Sequence, residues 1–281
     1  MLARRRLLRT IVSLHNALET TSTLKILLSS RSEYDIRQEL GDRPSFSLQD
    51  RHMRDDVETH IRAEIAKMPR LWNMPPEGRE SLVSELIERA DGTFQWAQCQ
   101  LQVLGKIKTP QALRDALDTL PSGLYETYDR LLEHIDSSDH EYVIRALKWL
   151  VGAKRPLLLK ELVEAVAIDP RNSHFDPKAR LFLPEDILNV CSNLIRIMED
   201  QTVVLSHFSV KEYLLSSYIT KKAQNVSTFA LQEAECRSHV LMSMMSYIFS
   251  IGLRLQLLEQ GAIGETEFPL TNFVMEEKGN L

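Results

Sequence analysis

The sequence predicts a mainly α-helical protein with a minor β component: a helical bundle, a winged helix and a C-terminal pair of helices. Three observations carry this. Between Arg51 and Ile135 apolar residues recur every three or four positions in short stretches separated by proline, glycine or polar breaks, as in a bundle with short connections. Between Val143 and Leu205 three helical stretches lead into two short apolar runs around Glu199-Asp200-Gln201, the parts of a winged helix. From Thr228 to Phe249 one long helical pattern follows, with Leu231, Ala234, His239, Leu241, Met244, Met245 and Ile248 suited to burial.

Composition sets the class. With 281 residues, 43% of them hydrophobic, the chain can bury the cores of two or three small domains. A net charge of -5 argues against nucleic acid or an anionic membrane as partner. No run is long and apolar enough to span a bilayer: the best candidate, Val240 to Leu258, contains serines, Gly252 and Arg254. Cys99, Cys191 and Cys236 have no metal-ligand spacing, so they read as small core residues, reduced in a cytoplasmic protein.

Taken in order, Leu2 to Leu18 is arginine-rich with no acid before Glu19, a composition shared with mitochondrial presequences. Its apolar face of Leu7, Leu8, Ile11, Leu14 and Leu18 runs on without a cleavage-like break, which favours a first helix. Leu24 to Leu28 reads as a buried strand ending in Ser29-Ser30-Arg31, and Arg31 could pair with Glu33 or Asp35. From Arg51 to Lys67, Met53, Val57, Ile61 and Ile65 share one face of a helix; Pro75-Pro76 precede another from Glu77 to Ala90. After an Asp91-Gly92 turn, a helix runs from Thr93 through Leu104, with Phe94 and Trp96 expected in the core. Thr109-Pro110 opens the next as N-cap and first-turn proline. Pro121 to Gly123 opens the last helix of the bundle, with Tyr125, Tyr128, Leu131, Leu132 and Ile135 apolar. His134, His140 and Glu141 fit a solvated turn better than a metal site.

Beyond a boundary at Asp136 to His140, the helices are Val143 to Val151, Leu159 to Ile168 and Pro184 to Val190. The hairpin pairs Leu194 to Met198 with Val203 to Leu205, the latter expected to be buried on both faces. His207 stands at a strand-to-helix corner. Ser209 is the expected N-cap of the next helix and Glu212 its capping-box acid, with Val210, Tyr213 and Leu214 facing inward. The residues alone make His207 a corner histidine bonded to nearby backbone. The methionines of the last helix read as core filling rather than a docking surface, and a tail from Glu276 frays.

The string His-Phe-Ser-Val-Lys-Glu-Tyr-Leu from His207 resembles the end of the winged helix in fungal NACHT-type proteins, members of the STAND class of P-loop NTPases. Leu-Lys-Ile-Leu-Leu-Ser-Ser-Arg, ending at Arg31, is similar to their sensor-1 strand, although the family often has proline at the position of Ser32. Ala-Asp-Gly-Thr-Phe-Gln-Trp-Ala and Leu-Pro-Ser-Gly-Leu-Tyr-Glu-Thr-Tyr resemble their helical subdomain. The resemblance implies that residues 1–50 are the end of an α/β nucleotide-binding domain, 51–137 a helical subdomain, 138–218 the winged helix and 219–281 a helical connector before ankyrin or other repeats. It implies that His207 contacts the β-phosphate of ADP and that Arg31 senses the γ-phosphate.

A phosphate cradle needs a glycine-rich loop followed by lysine and a hydroxyl, and no such string is present. On the resemblance, the chain starts downstream of the P-loop and Walker B groups, so ATP or GTP and Mg belong to full-length relatives and any nucleotide contact here is vestigial. No Gly-x-Ser-x-Gly or His-Glu-x-x-His occurs either, and an autonomous enzyme is not expected. The expected function is therefore that of a regulatory fragment acting through protein partners, with homo-oligomers open to full-length relatives. Two alternatives stand beside it. One is a DNA-binding winged helix, although Pro184 to Val190 offers two acids and no base. The other is a partial gene product of a nucleotide-dependent switch in fungal non-self recognition.

Overall fold

The computed structural model describes residues 2–18, 25–30, 34–41, 43–45, 52–90, 93–171 and 177–259. Contacts divide the chain into two units, Met1–His52 and Met53–Leu281. The fold is mainly helical with a small antiparallel sheet, as expected.

The first unit holds helices α1 (Leu2–Leu18) and α2 (Tyr34–Leu40). They meet through charge: Arg9 forks onto the Glu39 carboxylate at 2.9–3.1 Å, and Arg5 donates to Gln38 at 3.1 Å. The expected helix is present, but its apolar face is not buried as expected. Leu8 is buried, whereas Leu7, Leu14 and Leu18 are exposed. The expected strand at Leu24 to Leu28 is also absent over its described part: residues 25–30 are irregular and Leu27 is 83% exposed. A strand buried on both faces needs flanking strands and covering helices, and the described part of this unit contains two helices and no strand. Arg31 and the Asp91-Gly92 turn lie outside the described residues, as does the tail from residue 260.

The second unit has two apolar cores. Helices α3 (His52–Ala66), α4 (Pro69–Trp72), α5 (Pro76–Ala90), α6 (Phe94–Leu104) and α7 (Pro110–Asp118) build the first around Ile61, Ile65, Leu86, Trp96 and Leu101. Val57, Ile61 and Ile65 occupy the face their spacing predicts. Trp96 is buried and donates its Nε1–H to the Pro121 carbonyl at 3.0 Å, while Phe94 stays at the surface against the His60 ring. Thr109 caps α7 as expected, accepting from the Ala112 amide at 3.2 Å.

The second core belongs to the winged helix and what packs on it. Helix α8 (Leu124–Glu133) sends Tyr128, Leu131 and Leu132 into it. Helix α9 (His140–Gly152) follows, then strand β1 (Leu157–Leu158), α10 (Leu159–Val166) and α11 (Asp186–Val190). Strands β2 (Ile195–Ile197) and β3 (Thr202–Leu205) form the hairpin, and the sheet order is β1-β3-β2, all antiparallel. Val203, paired with both Leu157 and Ile197, is fully buried. Val204 and Leu205 are only half-buried, so the two-sided burial expected of this strand holds at its centre alone. At the hairpin turn Gln201 takes a φ of 65°, and Asp200 steadies the turn by accepting from the Thr202 amide and hydroxyl.

Helix α12 (Phe208–Leu214) leads through α13 (Gln224–Ser227) to α14 (Glu233–Glu259), which packs along α9. The long helix therefore begins five residues later than the expected Thr228, and its buried face is rotated. Cys236, Val240, Met244 and Tyr247 point inward, whereas Ala234, Leu241 and Met245 are exposed. Met242 and Phe249 are exposed too, so the methionines divide between core and surface. The crossing with α9 is close. A Cβ on Gly152 would stand 2.7 Å from the Cys236 carbonyl, which fixes glycine there.

All three cysteines are buried, free thiols, as expected of small core residues, and burial pushes Cys99 and Cys236 up to about 11 and Cys191 to about 12. Among the described residues no helix is long and apolar enough to cross a membrane, and no cluster of three His, Cys, Asp or Glu could hold a metal ion.

One buried group sets a pH limit. The Nε2 of His239 on α14 is buried with no hydrogen-bond partner, in the field of Lys148, Arg145 and Arg171, which Asp169 opposes. Burial chiefly, then the lysine and arginines, pulls the ring from 6.5 down to about 4. A depressed folded value means that the unfolded chain takes up the proton first as pH falls. Stability is fully present above about pH 6.5 and declines towards pH 4, by up to about 3 kcal/mol from this group. In urea melts, His239→Leu is expected to flatten that decline; an unchanged slope between pH 6.5 and 4 would assign the acid sensitivity elsewhere.

Candidate functional site

The corner after β3 is made by competition between strand and helix. Pairing holds the chain to Leu205, and the Ser206 amide donates to the Leu194 carbonyl at 2.9 Å. His207 remains extended at φ −154°, ψ 156°, and α12 starts at once behind it. His207 is therefore the N-cap, in place of the expected Ser209: its Nδ1 accepts from the Ser209 amide at 3.2 Å. The helix begins two residues sooner because the backbone turns immediately after its last extended residue. An imidazole nitrogen does what a serine oxygen was expected to do, and Glu212 is displaced from the capping-box position.

Released from capping, Ser209 is buried and carries a second link. Its Oγ lies 2.7 Å from His207 Nδ1 and 2.7 Å from the Tyr128 hydroxyl on α8. Burial pushes the Tyr128 hydroxyl up to about 12, keeping it protonated as a donor. The Ser209 amide N–H makes Nδ1 the accepting nitrogen, and Nε2 lies on the ring edge turned away from Ser209.

That ring lines a cleft of about 320 Å³ whose cationic members are Lys154, Arg155 and Lys211, with Leu205 and Phe208 among its apolar walls. Lys211 reaches Glu233 at 2.8 Å. Arg155 forks onto the buried Glu161, which also accepts the Leu158 amide at the start of α10. The cleft sets the His207 ring beside three basic side chains, two of which are already paired with carboxylates.

Beside the corner sits a cluster the sequence reading did not isolate. The Asp129 carboxylate, nearly buried, accepts from Tyr213 at 2.6 Å and Tyr218 at 2.9 Å, and the Lys222 ammonium approaches it at 2.7 Å. Burial first, then the bond to Asp129, drives the Tyr213 phenol far above its usual range. The same carboxylate raises Lys222, whose ammonium lies 4.1 Å from the Tyr218 ring. Tyr125 packs edge-on against Tyr213 at 5.2 Å, completing a four-tyrosine group with Tyr128. The signal was there to read: Tyr-Glu-Thr-Tyr-Asp at 125–129 and Tyr213 with Tyr218 supply the partners, but one chain shows no pairing across eighty residues.

Other sequence candidates resolve simply. His134 and His140 bond backbone carbonyls at 2.7 and 3.1 Å, as a turn reading requires. Helix α11, the candidate recognition helix, is five residues long and presents Glu185 and Asp186 at its start. Whether Arg31 shares a cleft with His207 falls outside the described residues.

Comparison with known proteins fits this geometry. Residues 133–232 match the family described as GPI inositol-deacylase, winged helix domain, a domain found in NACHT-associated proteins. The chain is 33% identical over 168 residues to azaphilone pigments biosynthesis cluster protein L of Monascus ruber, covering 57% of this chain and 35% of that protein. It is 28% identical over 221 residues to vegetative incompatibility protein HET-E-1 of Podospora anserina, covering 76% of this chain and 16% of that one. The chain thus spans about a third and about a sixth of those relatives. No solved structure matches it significantly. The resemblance to fungal NACHT-type proteins is upheld.

Removing the acceptor of the tyrosine cluster should be severe. Asp129→Asn is expected to lose about 3 kcal/mol in urea unfolding, because it leaves Tyr213 and Lys222 without their carboxylate. Tyr218→Phe, at a half-exposed position, should lose about 1 kcal/mol or less. An Asp129→Asn midpoint equal to the parent's would show that the carboxylate does not hold α8 to α12.

Proposed function

We propose that this chain, which shares its winged helix with fungal NACHT-type proteins, is the regulatory part of such a signalling protein and acts through contact with other protein segments. The observation that carries the reading is the His207 corner. The ring is pinned by its Nδ1, its Nε2 faces away from that anchor, and the cleft it lines includes three basic side chains, two of them paired with carboxylates. Such a corner can hand a hydrogen bond to a phosphate supplied by a separate nucleotide-binding segment.

In this reading His207 contacts the β-phosphate of a bound nucleotide and Arg31 senses the γ-phosphate. ATP or GTP and Mg are held by the P-loop region of the full-length protein. Residues 1–50 close that nucleotide-binding domain, 51–137 form the helical subdomain, 138–218 the winged helix and 219–281 a connector. Exchange of nucleotide would release the winged helix, so that a local phosphate contact biases a domain arrangement and self-assembly. The matched relative from Podospora anserina is a vegetative incompatibility protein, and a cytoplasmic role in non-self recognition is the corresponding proposal here.

DNA binding is the weaker reading. Neutralising phosphates takes Lys and Arg on the element entering the groove, and α11 begins with Glu185 and Asp186 while the wing turn carries Glu199 and Asp200. Catalysis by this chain alone is weaker still. One charge-assisted hydrogen bond contributes about 1.5–3 kcal/mol, against roughly 8 kcal/mol for micromolar affinity.

Two measurements test the proposal. Calorimetric titration of the chain with ADP or ATP is expected to show no binding in the micromolar range, and gel shifts with duplex DNA at low salt are expected to show no complex. Micromolar nucleotide binding, or a salt-sensitive DNA complex, would overturn it.

A further inference from the structure

We propose that Tyr128 and Ser209 are positioning residues for His207: a hydroxyl relay from helix α8 that reinforces the tautomer and direction which the Ser209 amide gives the imidazole. The functional meaning rests on the reading of His207 as a phosphate contact, while the relay itself rests on geometry alone. Tyr128, Ser209 and His207 stand in a line, hydroxyl to hydroxyl to ring nitrogen, with 2.7 Å at each step. Two of the three are buried, and residues 128 and 209 are 81 positions apart in the chain.

The direction of the bonds follows from what each atom can do. Nδ1 already faces the Ser209 amide, a fixed donor, so it must be the bare, accepting nitrogen. Ser209 Oγ–H then donates to Nδ1 and, with its own lone pairs free, accepts from Tyr128 O–H. Each bond polarises the next. The proton of the neutral ring is therefore confined to Nε2, and its donor is aimed by a residue of α8 rather than by the corner alone. Flipping the ring would set a C–H against both donors.

Helix α8 is in turn fixed by the neighbouring Asp129, which accepts from Tyr213 and Tyr218. Adjacent residues on one helix thus hold the start of α12 through Ser209 and its last turn through Tyr213. A shift of α8 would withdraw the Tyr128 hydroxyl and leave the ring with its local bonds to Ser209 alone, which makes α8 the element through which a change in the helical segment reaches the phosphate-facing edge.

The test is long-range proton–nitrogen NMR of the histidine rings in the full 281-residue chain, with His207→Gln used to assign the signal. The parent is expected to show His207 with an unprotonated Nδ1 and a protonated Nε2. Ser209→Ala, which keeps the amide bond to Nδ1, should move Nδ1 part of the way towards the average of the two tautomers, and Tyr128→Phe should move it the same way by less. Tyr128→Phe removes one oxygen and keeps the ring packing, so a folded variant is expected, checked by its melting temperature. A folded Tyr128→Phe with unchanged His207 nitrogen shifts would overturn the relay, as would a parent whose proton sits on Nδ1. These readouts use no nucleotide. If the relay is found but His207→Gln does not alter nucleotide retention by a full-length relative carrying the equivalent change, the phosphate reading fails and the relay stands.

Discussion

A carboxylate taken out of water must be met by donors, and in this fold that requirement ties the chain together. Asp129 is nearly buried on α8, and what meets it comes from the far side of the winged helix: Tyr213 from α12, Tyr218 and Lys222 from the turn that follows. An unpaired carboxylate there would be costly by several kcal/mol. The three partners can reach it only when α12 lies on α8 in one register. Leu131, Leu132, Val210 and Leu214 are buried in the same apolar core, but such contacts would tolerate a slide that the fixed directions of two phenolic hydroxyls do not.

The His207 corner inherits its order from that junction. Its cap bond to the Ser209 amide is local, but the second bond, through Ser209 Oγ to Tyr128, depends on α8 being in place. A histidine used as an N-cap is unusual beside serine, threonine, asparagine or aspartate. It does two things at one position: one nitrogen closes the helix, and the opposite nitrogen is left pointing away from it. A serine cap would satisfy the helix and offer nothing beyond it.

Much of this was legible in the sequence where a period of three or four repeats along one element. The faces of α3 and α8, the Thr109 cap, and the hairpin around residues 199–201 follow from local pattern. Two of the strings that carried the family resemblance, Leu-Tyr-Glu-Thr-Tyr and Lys-Glu-Tyr-Leu, touch through Tyr125, Tyr128 and Tyr213. Local pattern misled where the answer depended on distant neighbours. Leu24 to Leu28 has the composition of a buried strand, yet its described residues, with no strand to pair with among the described residues of their unit, are irregular and exposed. On α14 the apolar residues run nearly all round the helix, so periodicity could not choose the face. Packing against α9 at Gly152 chose it, burying Cys236 and Tyr247 and leaving Leu241 and Met245 outside. The cap fell on His207 rather than Ser209 because the end of β3 decides where the helix can begin.

The account makes α8 and α12 one cooperative body, so native-state hydrogen exchange is the most direct measure of it. Amides of Leu131 and Leu132 on α8 and of Tyr213 and Leu214 on α12 should open with the same free energy and the same denaturant dependence. If the α8 amides exchange through a separate opening of lower free energy while those of α12 stay protected, the winged helix holds its corner without α8, and the account is wrong.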